Sequence, residues 1–206
     1  MRKVSAFILV LAASLAVRAQ RSVMLDHYGN AISNNEFVDI RLANPNYPDA
    51  TIKTTLPDGT VEFRLQKIGQ EGKTAPPFEI KTLDRKTISS SALKGKVVVL
   101  NFWFIGCPTC AAQKNLLNDF KRKFDGTDTV FIAATADASG EVKKYLAKNH
   151  FDYIQTADAK PLIDAFVSNP YSRNIVISRD GRIVYWRTVI NAWDKFESVI
   201  RTELAK

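Results

Sequence analysis

Cys107-Pro108-Thr109-Cys110 is the stretch whose residue types and spacing can do covalent chemistry, and it holds the only two cysteines among 206 residues. Two sulfurs separated by two residues can close an intramolecular bridge. One can therefore attack a disulfide while the other resolves the mixed disulfide that forms. Position adds the second requirement. Lys96 to Phe104 is an apolar and aromatic run of the kind that makes a strand buried on both faces, Gly106 ends it, and a helical period starts at Cys107. A cysteine at a helix N-terminus meets free backbone N–H groups and the positive end of the dipole, and both lower its pKa below the value of about 8.5 for a free thiol. Cys107 is expected to be the attacking thiolate and Cys110, one turn deeper, the resolving thiol. Along this helix Leu116, Leu117, Phe120 and Phe124 are expected on the apolar face, with Lys114, Asn118, Lys121 and Arg122 toward water.

Two other uses of a cysteine pair are weaker. A static bridge across so short a loop would constrain the unfolded chain little. A zinc site would need two further ligands, and only His27, His150 and carboxylates are available. His27, within Asp26-His27-Tyr28-Gly29-Asn30, reads as an exposed loop histidine. No metal and no cofactor are expected, and two cysteines exclude a disulfide-stapled scaffold.

The elements that must position the pair follow from patterning. After the Cys107 helix come a strand (Thr129 to Ala134), a helix (Glu141 to Lys148), a short strand (Tyr153 to Thr156) and a helix (Lys160 to Val167). A hairpin of Asn174 to Ser178 and Arg182 to Arg187, turned by Arg179-Asp180-Gly181, precedes a last helix bearing Trp193, Phe196, Val199, Ile200 and Leu204. Strands alternating with helices predict a central sheet with a parallel part, an antiparallel addition from the hairpin, and helices on both faces. Upstream, residues 20–70 read as a β-rich extension. Phe37 to Leu42 alternates, and Thr51 to Leu56 and Thr60 to Ile68 flank a Pro57-Asp58-Gly59 turn. Gly69 to Lys73 reads as a linker, so the main domain is expected over residues 71–206.

The N-terminus reads as an export signal. Met1-Arg2-Lys3 is a basic head and Val4 to Val17 an apolar run shorter than the roughly 20 residues of a membrane-spanning helix. Val17-Arg18-Ala19 ends it with a small residue, and cleavage of residues 1–19 is expected after Ala19. Losing Arg2, Lys3 and Arg18 lowers the formal charge from +8 to +5. The remaining basic residues lie on Lys-rich helix faces, so nucleic acid is not an expected partner.

Four stretches together carry a family resemblance: Gly72-Lys73-Thr74-Ala75-Pro76-Pro77-Phe78, Leu93 to Trp103, Cys107 to Cys110, and Asn174-Ile175-Val176-Ile177 with Asp180-Gly181-Arg182-Ile183. On them, Gly72 to Lys206 resembles the thioredoxin-like domain of exported TlpA/ResA-type thiol-disulfide oxidoreductases, within the AhpC/TSA-redoxin superfamily that also includes peroxiredoxins. The resemblance implies an α/β thioredoxin-like three-layer fold and a periplasmic location. It also implies a reductant of protein disulfides, with cytochrome c maturation proteins among its partners and electrons from a membrane donor. It places Trp103, Pro108 and Thr109 around the cysteine pair.

Three departures from the family pattern bear on the site. Gly106 stands where an aromatic residue usually precedes the first cysteine, so one wall should be open. Gln113 stands where many members carry a proton-relaying glutamate; it can hydrogen-bond near Cys110 but cannot titrate. Aligned without gaps, the cis-proline position is Ser172, flanked by Tyr171 and Arg173; alternatively the loop slips and Pro170 takes that place. Arg173 is expected to bring a positive charge near Cys107. Competing readings are a copper or metal carrier, a weakly redox-active binding module, and a peroxiredoxin-type peroxidase. The last is disfavoured because Phe104 stands where its threonine belongs.

Overall fold

The computed structural model describes residues 20–44, 51–166 and 172–206. The expected export signal, Pro170 and Tyr171 lie outside the described residues. Among those described, no helix is long and apolar enough to cross a membrane.

Five strands make the central sheet: β6 (Val97–Phe102), β7 (Thr129–Ala134), β8 (Ile154–Thr156), β9 (Arg173–Ile177) and β10 (Ile183–Arg187), in the order β10-β9-β6-β7-β8. β6, β7 and β8 run parallel, joined by helical crossovers, while β9 and β10 form the antiparallel hairpin. β6 is central and fully buried because every residue of Val-Val-Val-Leu-Asn-Phe meets a covered face. Successive strand residues point to opposite faces, which divides the core in two. Val97, Val99 and Trp103 pack under α2 (Pro108–Arg122), α3 (Ser139–Leu146) and α5 (Trp193–Leu204). Val98, Leu100 and Phe102 pack on the other face, with α4 (Lys160–Phe166) and α1 (Asn34–Ala43). These are the three layers of a thioredoxin-like fold.

Residues 51–65 form the expected hairpin, β2 (Thr51–Thr55) and β3 (Val61–Leu65), joined by β1 (Ser22–Leu25) to give a sheet ordered β1-β3-β2. A second small hairpin, β4 (Glu79–Lys81) with β5 (Thr87–Ser89), leads into β6. The alternating stretch Phe37 to Leu42 is not a strand. It lies within α1, because Ser33 caps the helix by accepting the Glu36 N–H at 3.1 Å and because Phe37, Ile40 and Ala43, spaced by three, share one buried face. That face joins Leu65, Ile68, Phe166 and Trp186 in a single cluster, so the N-terminal elements share the core beneath the sheet.

The stretch read as a linker is tied to the sheet edge. Gly72 N–H donates to Ile183 O at 2.8 Å, and Ile183 N–H donates to Lys73 O at 2.9 Å. The Glu71 carboxylate accepts the Trp186 N–H at 3.1 Å and pairs with the buried Arg187 at 2.5 Å. Edge strand β10 is thereby covered, which removes its open row of backbone groups.

Candidate redox site

β6 delivers the chain to its C-terminal end, and α2 begins immediately beyond it. Cys107 is the N-cap of α2 and Pro108 occupies the first turn, where a missing N–H costs nothing. The Cys107 sulfur accepts the Cys110 N–H at 3.1 Å, the bond an N-cap side chain makes, and the two cysteines are joined by a disulfide. With Cα atoms 5.3 Å apart, the first turn of the helix brings them together without rearrangement of the backbone. Cys107 is 6% exposed in this bridged form, whereas Cys110 and Thr109 are half-buried and Pro108 is exposed.

The approach to the pair is a tight loop. Gly106 has φ +87 and no neighbour within 4 Å of where a side chain would start. The backbone here calls for glycine whatever the space available. Gly106→Ala is expected to lower stability by about 1 kcal/mol through this strain alone, read as a shifted urea midpoint; an unchanged midpoint would refute it. Two residues before Gly106, Phe104 is 38% exposed. The Asp137 carboxylate, in the loop after β7, accepts the Ile105 N–H at 2.7 Å and the Thr135 hydroxyl at 2.6 Å, which pins the loop to the neighbouring strand.

Trp103 is buried against Tyr145 and Phe151 on the α3 side, with its ring N–H unpartnered. Gln113 does not turn toward Cys110. Its amide clasps the backbone of Ile190, donating to the carbonyl at 2.8 Å and accepting the N–H at 3.4 Å. The same 188–192 loop is held from two other sides. From α1, the buried Asp39 carboxylate accepts the Asn191 N–H at 2.8 Å, the Asn191 side-chain amide at 2.7 Å and the Ala192 N–H at 2.9 Å. From β9, Arg173 donates to the Thr188 hydroxyl at 2.7 Å, and Ser172, buried, donates to Thr188 O at 3.5 Å. The Arg173 guanidinium also lies 5.4 Å from the Trp186 ring centre, on the sheet face opposite α2. Burial pulls its pKa below the ordinary arginine value.

Three expectations for α2 change. Leu116 is 49% exposed, because the buried positions Leu117, Phe120 and Phe124 recur at helical spacing and leave it about a quarter turn away. Asn118 faces inward and is buried: its amide donates to His150 O at 3.1 Å and accepts the Asp152 N–H at 2.9 Å, pairing the backbone of the loop after α3. Lys114 also leaves the water-facing side and packs over Tyr145. Among the described residues no group of three or more His, Cys, Asp and Glu side chains gathers. His150 contacts Asp152 instead. Asp39, Asp137 and Lys114 were missed as site residues in the sequence. The long-range side-chain contacts that place them span 31 to 153 positions, and although Lys114 follows Cys110 by four residues, nothing local shows that Asn149 and Tyr145 hold it there.

Comparison with known proteins agrees with this geometry. The Redoxin family model matches residues 70–204. Thiol-disulfide oxidoreductase ResA of Bacillus thuringiensis (strain Al Hakam) is 30% identical over 117 residues, which cover 56% of this chain and 68% of the relative. Among solved structures, a thiol:disulfide interchange protein of the thioredoxin family from Chlorobium tepidum matches with TM-score 0.56 at 22% identity, covering 64% of this chain and 96% of that one. The thioredoxin domain of a thiol-disulfide oxidoreductase from Bacteroides vulgatus matches with TM-score 0.54 at 23% identity, covering 61% and 96%. These two likenesses establish the fold.

Proposed function

Because the chain belongs to the Redoxin family and, within it, to the ResA-type thiol-disulfide oxidoreductases, we propose that it is an exported reductant of protein disulfides working through Cys107 and Cys110. As a thiol-disulfide oxidoreductase it passes two electrons between its own dithiol and a partner's disulfide. The observation that carries the assignment of roles is Cys107 at the N-cap of α2 with Cys110 one turn on. In the reducing direction, the Cys107 thiolate attacks one sulfur of the substrate disulfide. A Cys107–substrate bond forms, and the other substrate sulfur leaves as a thiolate and takes up a proton. Cys110 then attacks the Cys107 sulfur, the substrate's remaining thiol departs, and the Cys107–Cys110 bridge closes. A thiol donor, which the family places at the membrane, restores the dithiol by the same exchange in reverse.

Export rests on the signal-like residues 1–19 and suits a periplasmic location, where reactive thiols meet disulfide-bonded partners. Cytochrome c maturation proteins are the partners this reading names first. The exposed Phe104 offers an apolar contact for a partner's backbone beside the pair. Cys110→Ser tests the reading directly. In the exported compartment this variant should accumulate mixed disulfides through Cys107, identifiable by mass spectrometry after non-reducing separation. Recovery of the variant free of any disulfide-linked protein would refute a role in protein disulfide exchange.

A further inference from the structure

A cavity of about 10 Å³ adjoins Cys110, lined by Asn101, Trp103, Cys110, Lys114, Tyr145 and Phe151. That volume admits at most a water-sized molecule, so groups facing it act on the protein's own sulfur rather than on a substrate. Its charge content is unusual for a thiol that has to lose a proton. Asn101 is neutral, buried, and engaged with Asn174 at 2.9 Å. Trp103, Tyr145 and Phe151 are uncharged aromatics. Among the described residues no carboxylate lines the cavity, and Lys114 is its one charged residue.

Of the charged groups on the surrounding elements, Glu141, Lys143, Lys144 and Lys148 of α3 and the turn after it do not line the cavity, and those nearest in the fold have partners of their own. Asp137 is taken up by Ile105 and Thr135, His150 and Asp152 contact each other, Arg122 reaches Asp119 and Asp152, and Arg173 faces Thr188. Gln113, which cannot titrate, clasps Ile190. Lys114 follows Cys110 by four residues and so lies above it on the same helix face. Its ammonium is held by Asn149 Oδ1 at 3.3 Å and sits 5.7 Å from the Tyr145 ring centre, both on or just after α3. The cation is thus anchored by two neutral partners, neither of which cancels its charge, on a residue that lines the same cavity as Cys110.

We propose that Lys114 supplies the positive charge that favours the Cys110 thiolate in the resolving step. The inference rests on the exchange chemistry proposed above. Cys110 gives its proton to solvent, its thiolate attacks Cys107 and displaces the substrate sulfur, which recovers a proton from solvent. No proton passes through Lys114 in this step, so its part is electrostatic and requires no carboxylate.

The test uses the reduced Cys107→Ser chain, in which Cys110 is the sole thiol, and follows its alkylation by iodoacetamide against pH. Adding Lys114→Met should raise the midpoint by about one pH unit, which is about a tenfold loss of thiolate at neutral pH. Lys114→Gln, which keeps a polar reach to Asn149, should give the same shift, and Lys114→Arg should restore the parent midpoint. A packing role for Lys114 predicts no such charge dependence. A midpoint unmoved by Met or Gln overturns the proposal. Reduction of a protein disulfide by the intact chain is scored separately. If the chain is inactive while the midpoint follows Lys114, the proposed function fails and the electrostatic assignment stands; if the chain is active with a fixed midpoint, the assignment alone fails.

Discussion

Cys107→Ser should abolish disulfide reduction, a loss of about three orders of magnitude or more, because a serine hydroxyl offers no thiolate at neutral pH. Cys110→Ser should behave differently, retaining the first exchange and stalling at the mixed disulfide. Burial alone ranks the sulfurs the other way, since Cys107 is 6% exposed in the bridged form and Cys110 is half-buried. The helix end is the stronger argument. The Cys107 sulfur accepts the Cys110 N–H from the N-cap position, at the positive end of the helix dipole, whereas Cys110 lies inside the first turn with its own N–H already donated. Thiolate stability selects the nucleophile; the area of a closed bridge describes only its oxidised state. Rapid mixing with a chromogenic disulfide distinguishes the two. Fast release of one equivalent of leaving thiol by Cys110→Ser and a much slower release by Cys107→Ser support the assignment, and the reverse pattern would exchange the roles.

The second large effect concerns Asp39, far from the cysteines in sequence. Its carboxylate is 1% exposed and accepts hydrogen bonds from two backbone N–H groups, those of Asn191 and Ala192, and from the Asn191 side chain. Asp39→Ala leaves the buried Ala192 N–H without an acceptor, at about 1–3 kcal/mol for an unsatisfied buried group, and removes the partner of the two part-buried Asn191 donors at a smaller cost each. A loss of about 3 kcal/mol is expected in urea unfolding, with Asp39→Asn intermediate because one acceptor atom becomes a donor. Asn191 adjoins Ile190, the residue Gln113 holds from α2. Amide exchange across residues 188–192 should therefore accelerate in Asp39→Ala beyond what the global loss explains. A loss below about 1 kcal/mol would mean that the loop is held adequately by Gln113 and Thr188 alone.

Asp39 also shows why part of the site was hidden. In the sequence it sits in Phe37 to Leu42, where alternation reads as a strand and the Ser33-Asn34-Asn35-Glu36 start of a capped helix precedes it. That cap was legible and outweighs the short alternation, because a capped start and a buried face spaced by three specify a helix over ten residues. What Asp39 holds was not legible: its partners lie 152 and 153 residues away. Gln113 is a similar case. Helical spacing places it on the inner side of α2, but that side faces the 188–192 loop here, and its amide finds Ile190 instead of the sulfur. Lys114 and Asn118 were assigned to water because their side chains are polar, yet α3 and the loop after it cover that side of the helix.

The sequence by itself determined the chemistry and the scaffold that presents it. A cysteine pair two residues apart, at the junction of a buried strand and an amphipathic helix, depends on local periodicity, and so does the order of strands and helices around it. Every such signal lies within a few residues, where backbone geometry converts spacing into direction. The tertiary structure alone decided which polar groups surround the pair. Asp39 and Gln113 grip one loop from opposite layers, Asp137 holds the turn before Cys107, and Lys114 is, among the described residues, the charged one lining the cavity at Cys110. Those pairings are fixed by how separate elements pack, and a buried polar group takes whichever partner the packing brings within reach.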